Sequence, residues 1–209
     1  MLYLIRHGET TLNVQRVLQP VHTLLSARGV QQSEALALRL ADGPDPRPVA
    51  VLASDLPRAL KTGEVIARAC GIDLALSPTL RERNFGELRG RPYDSLGFDP
   101  LAMAAAPAGG ESMAAFLVRC DIAWREVLAR QAMLQGPLAV VTHGLVIRAW
   151  LAPTRVVFPP GQPSAPAAGL PNASLTVVEP TPPHTVQRLA CVAHLQGGTS
   201  SGARNLSGG

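Results

Sequence analysis

Three short runs of apolar residues constrain the fold of this chain more than any other feature. They are Leu2–Ile5, Val49–Ala53 and Leu138–Thr142. Runs of four or five consecutive apolar residues are typical of strands that helices cover on both faces of a parallel sheet. Helical patterns follow these runs along the chain, and strands that alternate with helices indicate the α/β class. We therefore predict an α/β fold.

Two helices are predicted in the first seventy residues of the chain. Ser33 to Leu40 places apolar residues at helical spacing ahead of Gly43. A second helix is predicted to end at Cys70, with Ser54-Asp55 as its N-cap and Pro57 in its first turn. The longest helical pattern runs from Glu111 to Gln135, and another helix is predicted after Thr142. Three more strands are predicted at Asp73–Leu76, Ser174–Glu179 and Val186–Val192.

The chain has the length and organisation of one domain. Its 209 residues suffice for one sizeable core, and it contains no internal repeat and no clean linker. We expect a single domain over 1–196, in which the Gly-, Pro- and Ala-rich stretch 86–110 forms a short cap over the sheet. Six prolines mark 152–171 as a loop, and the Gly/Ser-rich stretch 197–209 is predicted to be a disordered tail.

Composition narrows the partners and the location. Apolar residues make up 46% of the chain and charged residues 16%, which is typical of a globular protein. Charges or prolines interrupt every apolar run well before the ~20 residues of a membrane span, and no secretory signal is recognisable. Cys70, Cys120 and Cys191 lack metal-ligand spacing and read as reduced thiols. We expect a cytoplasmic protein without a membrane partner.

The net charge of +4 does not by itself indicate a nucleic-acid partner. Lys61 is the single lysine, and the arginines are spread along the chain, so we expect no nucleic-acid binding. One dense group stands out, and we expect its members to divide between solvent and a binding crevice: Arg81, Arg83, Arg89 and Arg91.

Ionisable side chains follow the apolar runs at the points where the strands end. Arg6-His7 and His143 each precede a glycine at such an end, and Arg58 follows a third strand by a few residues. Ligands in open α/β sheets bind beyond the carboxyl ends of the strands, so these two imidazoles and two guanidiniums are predicted to share one crevice. Two arginines suit a phosphate better than a lone carboxylate. The predicted site therefore binds a phosphate-bearing anion.

A metal site is the obvious alternative for a pair of histidines. Glu9 and Asp55 are the nearest carboxylates in sequence, but neither an HExxH motif nor a Cys/His spacing is present. A dication beside Arg6 and Arg58 would also be electrostatically costly. We expect no metal and no cofactor.

Several motifs occur in the order that one family shows. They are Arg6-His7-Gly8-Glu9-Thr10 with Asn13, Ser54-Asp55-Leu56-Pro57-Arg58-Ala59, Leu80-Arg81-Glu82-Arg83-Asn84-Phe85-Gly86, Gly110-Glu111-Ser112, Thr142-His143-Gly144, Asn172-Ala173-Ser174 and His194-Leu195. Together they resemble the histidine phosphatase superfamily, the phosphoglycerate mutase-like proteins. The resemblance implies a single-domain three-layer α/β/α sandwich with a mostly parallel central sheet.

The resemblance also implies a phosphohistidine mechanism. His7 would attack phosphorus as a neutral imidazole, and Glu82 would protonate the leaving alcohol and then activate water. The neighbouring arginines favour the carboxylate of Glu82, and we expect its pKa to rise only when phosphate is bound. The residues expected to bind the substrate are Arg6, Asn13, Gln19, Arg58, His143 and Gly144.

Two departures bear on the reaction. The stretch Arg16–Ser26 differs from the family pattern, and Gln19 is proposed there as a side chain that reaches the ligand. Phe85 stands where mutases commonly have Tyr, and Arg91 is the only basic residue between Gly90 and Gly110. We therefore predict hydrolysis of a small phosphate monoester by a monomer or homodimer. The alternatives are mutase-type phosphoryl transfer and, less favoured, a non-catalytic module that binds a phospho-ligand or a protein.

Overall fold

The computed structural model describes residues 1–161 and 169–196. Its centre is a six-stranded sheet, ordered β3-β2-β4-β1-β5-β6. The strands are β1 (Leu2–Arg6), β2 (Ala50–Ala53), β3 (Leu74–Leu76), β4 (Leu138–Thr142), β5 (Leu175–Val178) and β6 (Val186–Cys191). Strands β3, β2, β4 and β1 run parallel, whereas β5 and β6 form an antiparallel pair that joins the sheet beside β1. The mostly parallel sheet that the resemblance implies is confirmed, and the last two predicted strands pair with each other at its edge.

Helices cover both faces of this sheet. These are α2 (Ala27–Asp42), α3 (Pro57–Cys70), α4 (Met113–Ala132) and α5 (Gly144–Trp150), whereas the short helix α1 (Thr11–Val14) has no buried residue. Successive side chains of a strand point to opposite faces, so Leu2 and Leu4 join an apolar cluster with α4 and α5. Tyr3 and Ile5 join a second cluster with α2 and α3. The α/β/α sandwich that the resemblance implies is therefore confirmed.

Three helix starts differ from the predictions. Helix α2 begins at Ala27 rather than near Ser33, because the hydroxyl of Ser26 accepts a hydrogen bond from the amide of Gly29. The N-cap of α3 is Leu56, so the prediction of a Ser54-Asp55 cap is wrong. Helix α4 is shorter than the predicted Glu111 to Gln135, since Ser112 caps its first turn. Helix α1, which Thr10 caps, was not predicted.

The stretch 86–110 contains only two 3-10 turns, Gly86–Leu88 and Tyr93–Ser95, and is otherwise irregular, as expected of a cap. It is joined to the loop after α1 by an antiparallel bridge between Val17 and Pro92. Part of the predicted proline-rich loop (162–168) and the predicted tail (197–209) lie outside the described residues. No described helix is long and apolar enough to cross a membrane.

Candidate active site

His7 lies just beyond the end of β1 and is held in one orientation. Its side chain is buried, and its Nδ1 lies 2.7 Å from the carbonyl oxygen of Gly8. A carbonyl only accepts hydrogen bonds, so Nδ1 carries the proton and the lone pair of the ring resides on Nε2. The main chain of His7 is fixed as well, since its amide donates to Thr142 and its carbonyl accepts from Ala173. The structure thus presents His7 as an oriented base.

Asn172 fastens the loop that carries His7. Its Nδ2 lies 3.1 Å from the carbonyl oxygen of His7, 3.3 Å from that of Gly8 and 3.1 Å from Oδ1 of Asn13. The amide of Gly8 donates in turn to Thr62 on α3. Asn172 entered the sequence analysis only within a family-like motif and was not predicted as a site residue. Its contacts span more than 150 residues of chain, which no local pattern reveals.

His143 follows the last residue of β4 and lies directly beside His7. The two ring centroids are 5.1 Å apart, and Nε2 of His143 lies 2.9 Å from the hydroxyl of Ser54. Burial lowers the pKa of both imidazoles well below the ordinary value, and the guanidiniums of Arg58 and Arg6 lower it further. Both histidines are therefore neutral at physiological pH.

Arg58 and Arg6 place two guanidiniums in the same region, the first buried and the second partly buried. Arg58 is 3% exposed, and burial is the main reason that its pKa falls to about 10. Within the part of the chain that the structure describes, Nε and Nη1 of Arg58 and Nε of Arg6 have no hydrogen-bond partner. A buried cation without a counter-ion is costly, so this arrangement is suited to an anion.

Glu82 follows the 3-10 turn Pro78–Leu80 and faces the same region. Its two carboxyl oxygens accept hydrogen bonds from the backbone amides of Arg83 at 3.0 Å and Leu145 at 3.2 Å. Burial raises the pKa of Glu82, and this effect outweighs the opposing effects of those amides, Arg58 and Arg6. The expectation that the arginines prevail until phosphate binds was therefore wrong, because it omitted desolvation.

Arg119 on α4 holds the segment around Glu82. It forms a bidentate ion pair with Glu111, at 2.9 and 2.7 Å, and its Nη1 donates to the carbonyls of Thr79 and Arg81. Its Nη2 lies 3.4 Å from the carbonyl oxygen of Glu82 itself. Arg119 was not predicted as a site residue, because nothing in the sequence of an amphipathic helix indicates that one of its arginines binds a distant loop.

Several of the side chains described above line one cavity of about 320 Å³. The predicted site residues in its wall are Arg6, His7, Asn13, Gln19, Arg58, Glu82 and Gly144. His143 is fully buried beside His7 and is not among the described residues that line the cavity. The side-chain oxygens of Asn13 and Gln19 both accept from the hydroxyl of Thr10, which orients these two amides.

The dense arginine group divides between the cavity and solvent. Arg83 and Arg89 line the cavity, whereas Arg91 is exposed and Arg81 is exposed in an ion pair with Asp55. This division was expected from the irregular stretch. Among the described residues, no three His, Cys, Asp or Glu side chains are placed so that they could hold a metal ion.

Comparisons with known proteins point to one family. A model described as "Histidine phosphatase superfamily (branch 1)" matches residues 2–191. The chain is 43% identical over 160 residues to the probable phosphoglycerate mutase GpmB of Erwinia tasmaniensis. The aligned residues cover 70% of each protein. The match to GpmB of Escherichia fergusonii, 43% identical over 96 residues, spans only 43% of that relative and 46% of this chain.

Phosphatases are also among the similar proteins. A metal-independent phosphoserine phosphatase of Arabidopsis thaliana is 35% identical over 160 residues, which are 71% of this chain and 66% of that protein. The solved structure of a mycobacterial glucosyl-3-phosphoglycerate phosphatase in complex with VO3 has a TM-score of 0.68 at 28% identity. That likeness covers 85% of this chain and 90% of the other.

Proposed function

Since this chain belongs to the histidine phosphatase superfamily, we propose that it is a metal-independent phosphomonoester hydrolase that acts on a small phosphorylated metabolite in the cytoplasm. The observation that carries the proposal is the state of His7, a neutral imidazole whose Nδ1 is engaged by Gly8. Its Nε2, which carries the lone pair of the ring, shares a cavity with the guanidiniums of Arg6 and Arg58 and the carboxyl group of Glu82. A neutral imidazole, two guanidiniums and a carboxyl group are the groups that nucleophilic attack on a phosphate requires.

In the first step, Nε2 of His7 attacks phosphorus in line with the ester oxygen. The P–N bond forms as the P–O bond to the alcohol breaks, and the electron pair of that bond leaves on oxygen. Glu82 transfers its proton to this oxygen, which releases the alcohol. Arg6 and Arg58 offset the negative charge on the phosphoryl oxygens in the transition state.

In the second step, water attacks the phosphohistidine. The carboxylate of Glu82 takes a proton from the water, the new P–O bond forms, and the P–N bond breaks with its electron pair returning to Nε2. Inorganic phosphate leaves, and His7 and Glu82 return to their starting states. The two steps use the same carboxyl group first as acid and then as base.

Phosphohistidine formation tests the proposal directly. Rapid-quench labelling with a radioactive phosphomonoester should place acid-labile, alkali-stable phosphate on the protein. The His7→Ala variant should take up no label, while His22→Ala, which changes an exposed histidine, should label like the wild type. Label on His7→Ala at the wild-type level would show that another residue is the nucleophile.

Metal independence is tested on the same preparation. Exhaustive EDTA treatment should leave turnover of p-nitrophenyl phosphate unchanged. Activity that disappears and returns only with a divalent cation would assign the protein to another mechanism. No turnover of any phosphomonoester would favour the non-catalytic binding module instead.

Similarity to GpmB makes mutase-type transfer the second candidate. A mutase must keep water from the phosphohistidine between two half-reactions, and the irregular stretch 86–110 is a small cap for that task. The only basic residue between Gly90 and Gly110, Arg91, is exposed and not among the described residues that line the cavity. With 3-phosphoglycerate we expect slow phosphate release or none, whereas rapid formation of 2-phosphoglycerate would establish a mutase.

A further inference from the structure

The outer face of α4, the side turned away from the sheet, is largely apolar. It consists of seven exposed residues at helical spacing: Ala114, Val118, Asp121, Ile122, Arg125, Ala129 and Ala132. Val118 is 60% exposed and Ile122 is 47% exposed, and the neighbouring Leu117 is exposed as well. Apolar side chains therefore meet water on both sides of the two charged residues.

Helices α2 and α3 show the outer faces that solvent normally covers. The exposed residues of α2 are mostly polar, and Leu38 is the single large apolar side chain among them. Helix α3 exposes no large apolar side chain. A helix that is apolar on its outer face as well as its inner face is typical of a helix that is covered on both sides. The outer face of α4 is thus a surface for another molecule.

The sequence outside the described residues offers no apolar segment to cover this face. The stretches 162–168 and 197–209 consist mainly of Gly, Ser, Ala and Pro, and Leu206 is their only large apolar residue. No residue of α4 lines the cavity, so a substrate in the cavity does not cover the outer face either. The cover must come from a second molecule.

Two opposite charges lie at the centre of the outer face. Asp121 and Arg125 are one helical turn apart, and both are exposed. Arg155 engages one carboxyl oxygen of Asp121. Nε of Arg125 lies 3.3 Å from the carbonyl oxygen of Asp121, and the two terminal nitrogens of Arg125 have no carboxylate partner among the described residues. Each side chain can therefore pair with an opposite charge on another molecule.

We propose that the outer face of α4 is the interface of a homodimer, in which α4 packs antiparallel on the α4 helix of a second copy. A two-fold axis midway between positions 121 and 125 places Asp121 opposite Arg125 of the partner subunit and Arg125 opposite the partner's Asp121. The same axis places Val118 beside Ala129 of the partner subunit. A large side chain then packs against a small one, which lets the two helices approach closely.

Charge favours this arrangement over a parallel one. A parallel pairing of the same faces would bring Asp121 against the partner's Asp121, and such like-charge contacts are unfavourable. The 20 residues of α4 span about 30 Å, so the interface is at the small end of specific interfaces. We expect a dissociation constant of about 10–100 µM, so that dilute kinetic and unfolding experiments measure the monomer.

Sedimentation velocity of the full chain across this range of concentrations tests the interface. The weight-average sedimentation coefficient should rise with concentration from the value of a monomer towards that of a dimer. Val118→Gln should weaken the association by at least about tenfold, because it removes apolar area from the interface in both copies. Leu38→Gln is the matched control, since Leu38 is 61% exposed on α2, and it should leave the dissociation constant unchanged.

Charge exchange tests the antiparallel pairing. Arg125→Asp brings four carboxylates together at the two-fold axis, and Asp121→Arg brings four guanidiniums together, so each variant alone should dimerise at least about tenfold more weakly. An equal mixture of the two variants should associate like the wild type, because opposite charges meet in the heterodimer. Asp121→Arg also removes the partner of Arg155, so circular dichroism must first show that it folds. If it does not fold, Val118→Gln still decides whether this face is the interface.

A wild-type chain that stays monomeric throughout this range would overturn the inference, and the face would then be left for a different protein. A dimer that Val118→Gln does not weaken, or that Leu38→Gln weakens equally, would overturn it as well, since the interface would lie elsewhere. A mixture of folded charge variants that associates no better than either variant alone would overturn the antiparallel pairing. None of these measurements involves turnover, so their outcome is independent of the proposed function.

Discussion

At the scale of single residues, burial shifts the pKa values of the two groups that we propose to react in opposite directions. Removal from water disfavours the charged form of any group, so it lowers the pKa of His7 and raises that of Glu82. A neutral imidazole is the form that attacks phosphorus, and a protonated carboxyl is the form that donates to the leaving oxygen. One physical cause therefore prepares both groups before the substrate arrives.

Glu82→Gln tests the role of this carboxyl group. Turnover of alkyl phosphates should fall by about 10²–10⁴-fold, because their alkoxides leave poorly without a proton. Turnover of p-nitrophenyl phosphate should fall much less, since its leaving group is a weak base. In the wild type, kcat/KM for alkyl phosphates should decrease as pH rises through the raised pKa of Glu82, and the variant should lose this limb.

Glu87→Gln supplies the control, since Glu87 is an exposed carboxylate close to Glu82 in the sequence. It should behave like the wild type with both kinds of substrate and retain the pH limb. Equal losses on alkyl and aryl phosphates in Glu82→Gln would mean that Glu82 positions the substrate and that the acid lies elsewhere.

At the scale of elements, a helix later in the chain holds the segment that contains Glu82, the proposed acid. Arg119 lies on α4 and pairs with Glu111, and its Nη1 and Nη2 donate directly to three carbonyls of the segment 79–82. The irregular segment has no ladder of its own to hold it, so the helix supplies its hydrogen bonds. The orientation of Glu82 therefore depends on α4.

Arg119→Met should reduce stability and impair the acid together. We expect a loss of about 2–4 kcal/mol in the free energy of unfolding, because Glu111 and three carbonyls lose their partner. In protein that remains folded, kcat should fall more for alkyl than for aryl phosphates. Arg125→Met removes an exposed arginine of the same helix and should change both measurements little. Equal losses for the two substrate types would show a purely structural role.

Two glycines of the stretch 86–110 allow the cost of backbone strain to be measured apart from the cost of a steric clash. Gly86 has φ +52°, and a Cβ there would lie 2.0 Å from the carbonyl oxygen of Ala108. Gly90 has φ +84°, and a Cβ there would meet nothing within 4 Å. Gly90→Ala should cost about 1–2 kcal/mol of unfolding free energy for the left-handed backbone alone. Urea titration should show a clearly larger loss for Gly86→Ala, and equal losses would contradict the packing of 86 on 108.

At the scale of the whole molecule, the sequence predicted the sheet and most of the site. The length and composition of the apolar runs were enough to predict strands. The His-Gly pairs at the ends of two of these strands predicted that the side chains of His7 and His143 lie close together. Contacts between distant segments were not predictable, and Asn172 and Arg119 are the clearest cases. The capping role of Ser26 was missed, because the apolar period of α2 becomes visible only in the second half of the helix.

The buried histidines should make the protein less stable in mild acid. Their folded pKa values lie below the unfolded value of about 6.5, so the unfolded chain binds more protons as pH falls. Each of the two can lower the free energy of unfolding by up to about 1.4 kcal/mol per pH unit below 6.5. His194, whose pKa burial also lowers, adds to this trend. The raised pKa of Glu82 acts in the opposite sense, above about pH 4.3.

Urea titrations between pH 7.5 and 5.5 measure this dependence. His143→Gln should show a shallower slope of unfolding free energy with pH than the wild type, whatever its absolute stability. His22→Gln, which alters an exposed histidine, should keep the wild-type slope. An unchanged slope in His143→Gln would mean that His143 binds its proton equally well in the folded and the unfolded protein.

The position of β1 between β4 and β5 has a consequence for synthesis on the ribosome. Leu2 pairs with Leu138 on one side and with Val178 on the other, so the strand that leads to His7 emerges long before either neighbour. At 5–20 residues per second, roughly ten to thirty-five seconds pass before both are available. Nascent chains stalled before β5 should leave β1 open to protease, and protection should arise only once that strand has left the exit tunnel. His7, the proposed nucleophile, is therefore translated long before β5, and the sheet that holds it is completed only when β5 has emerged.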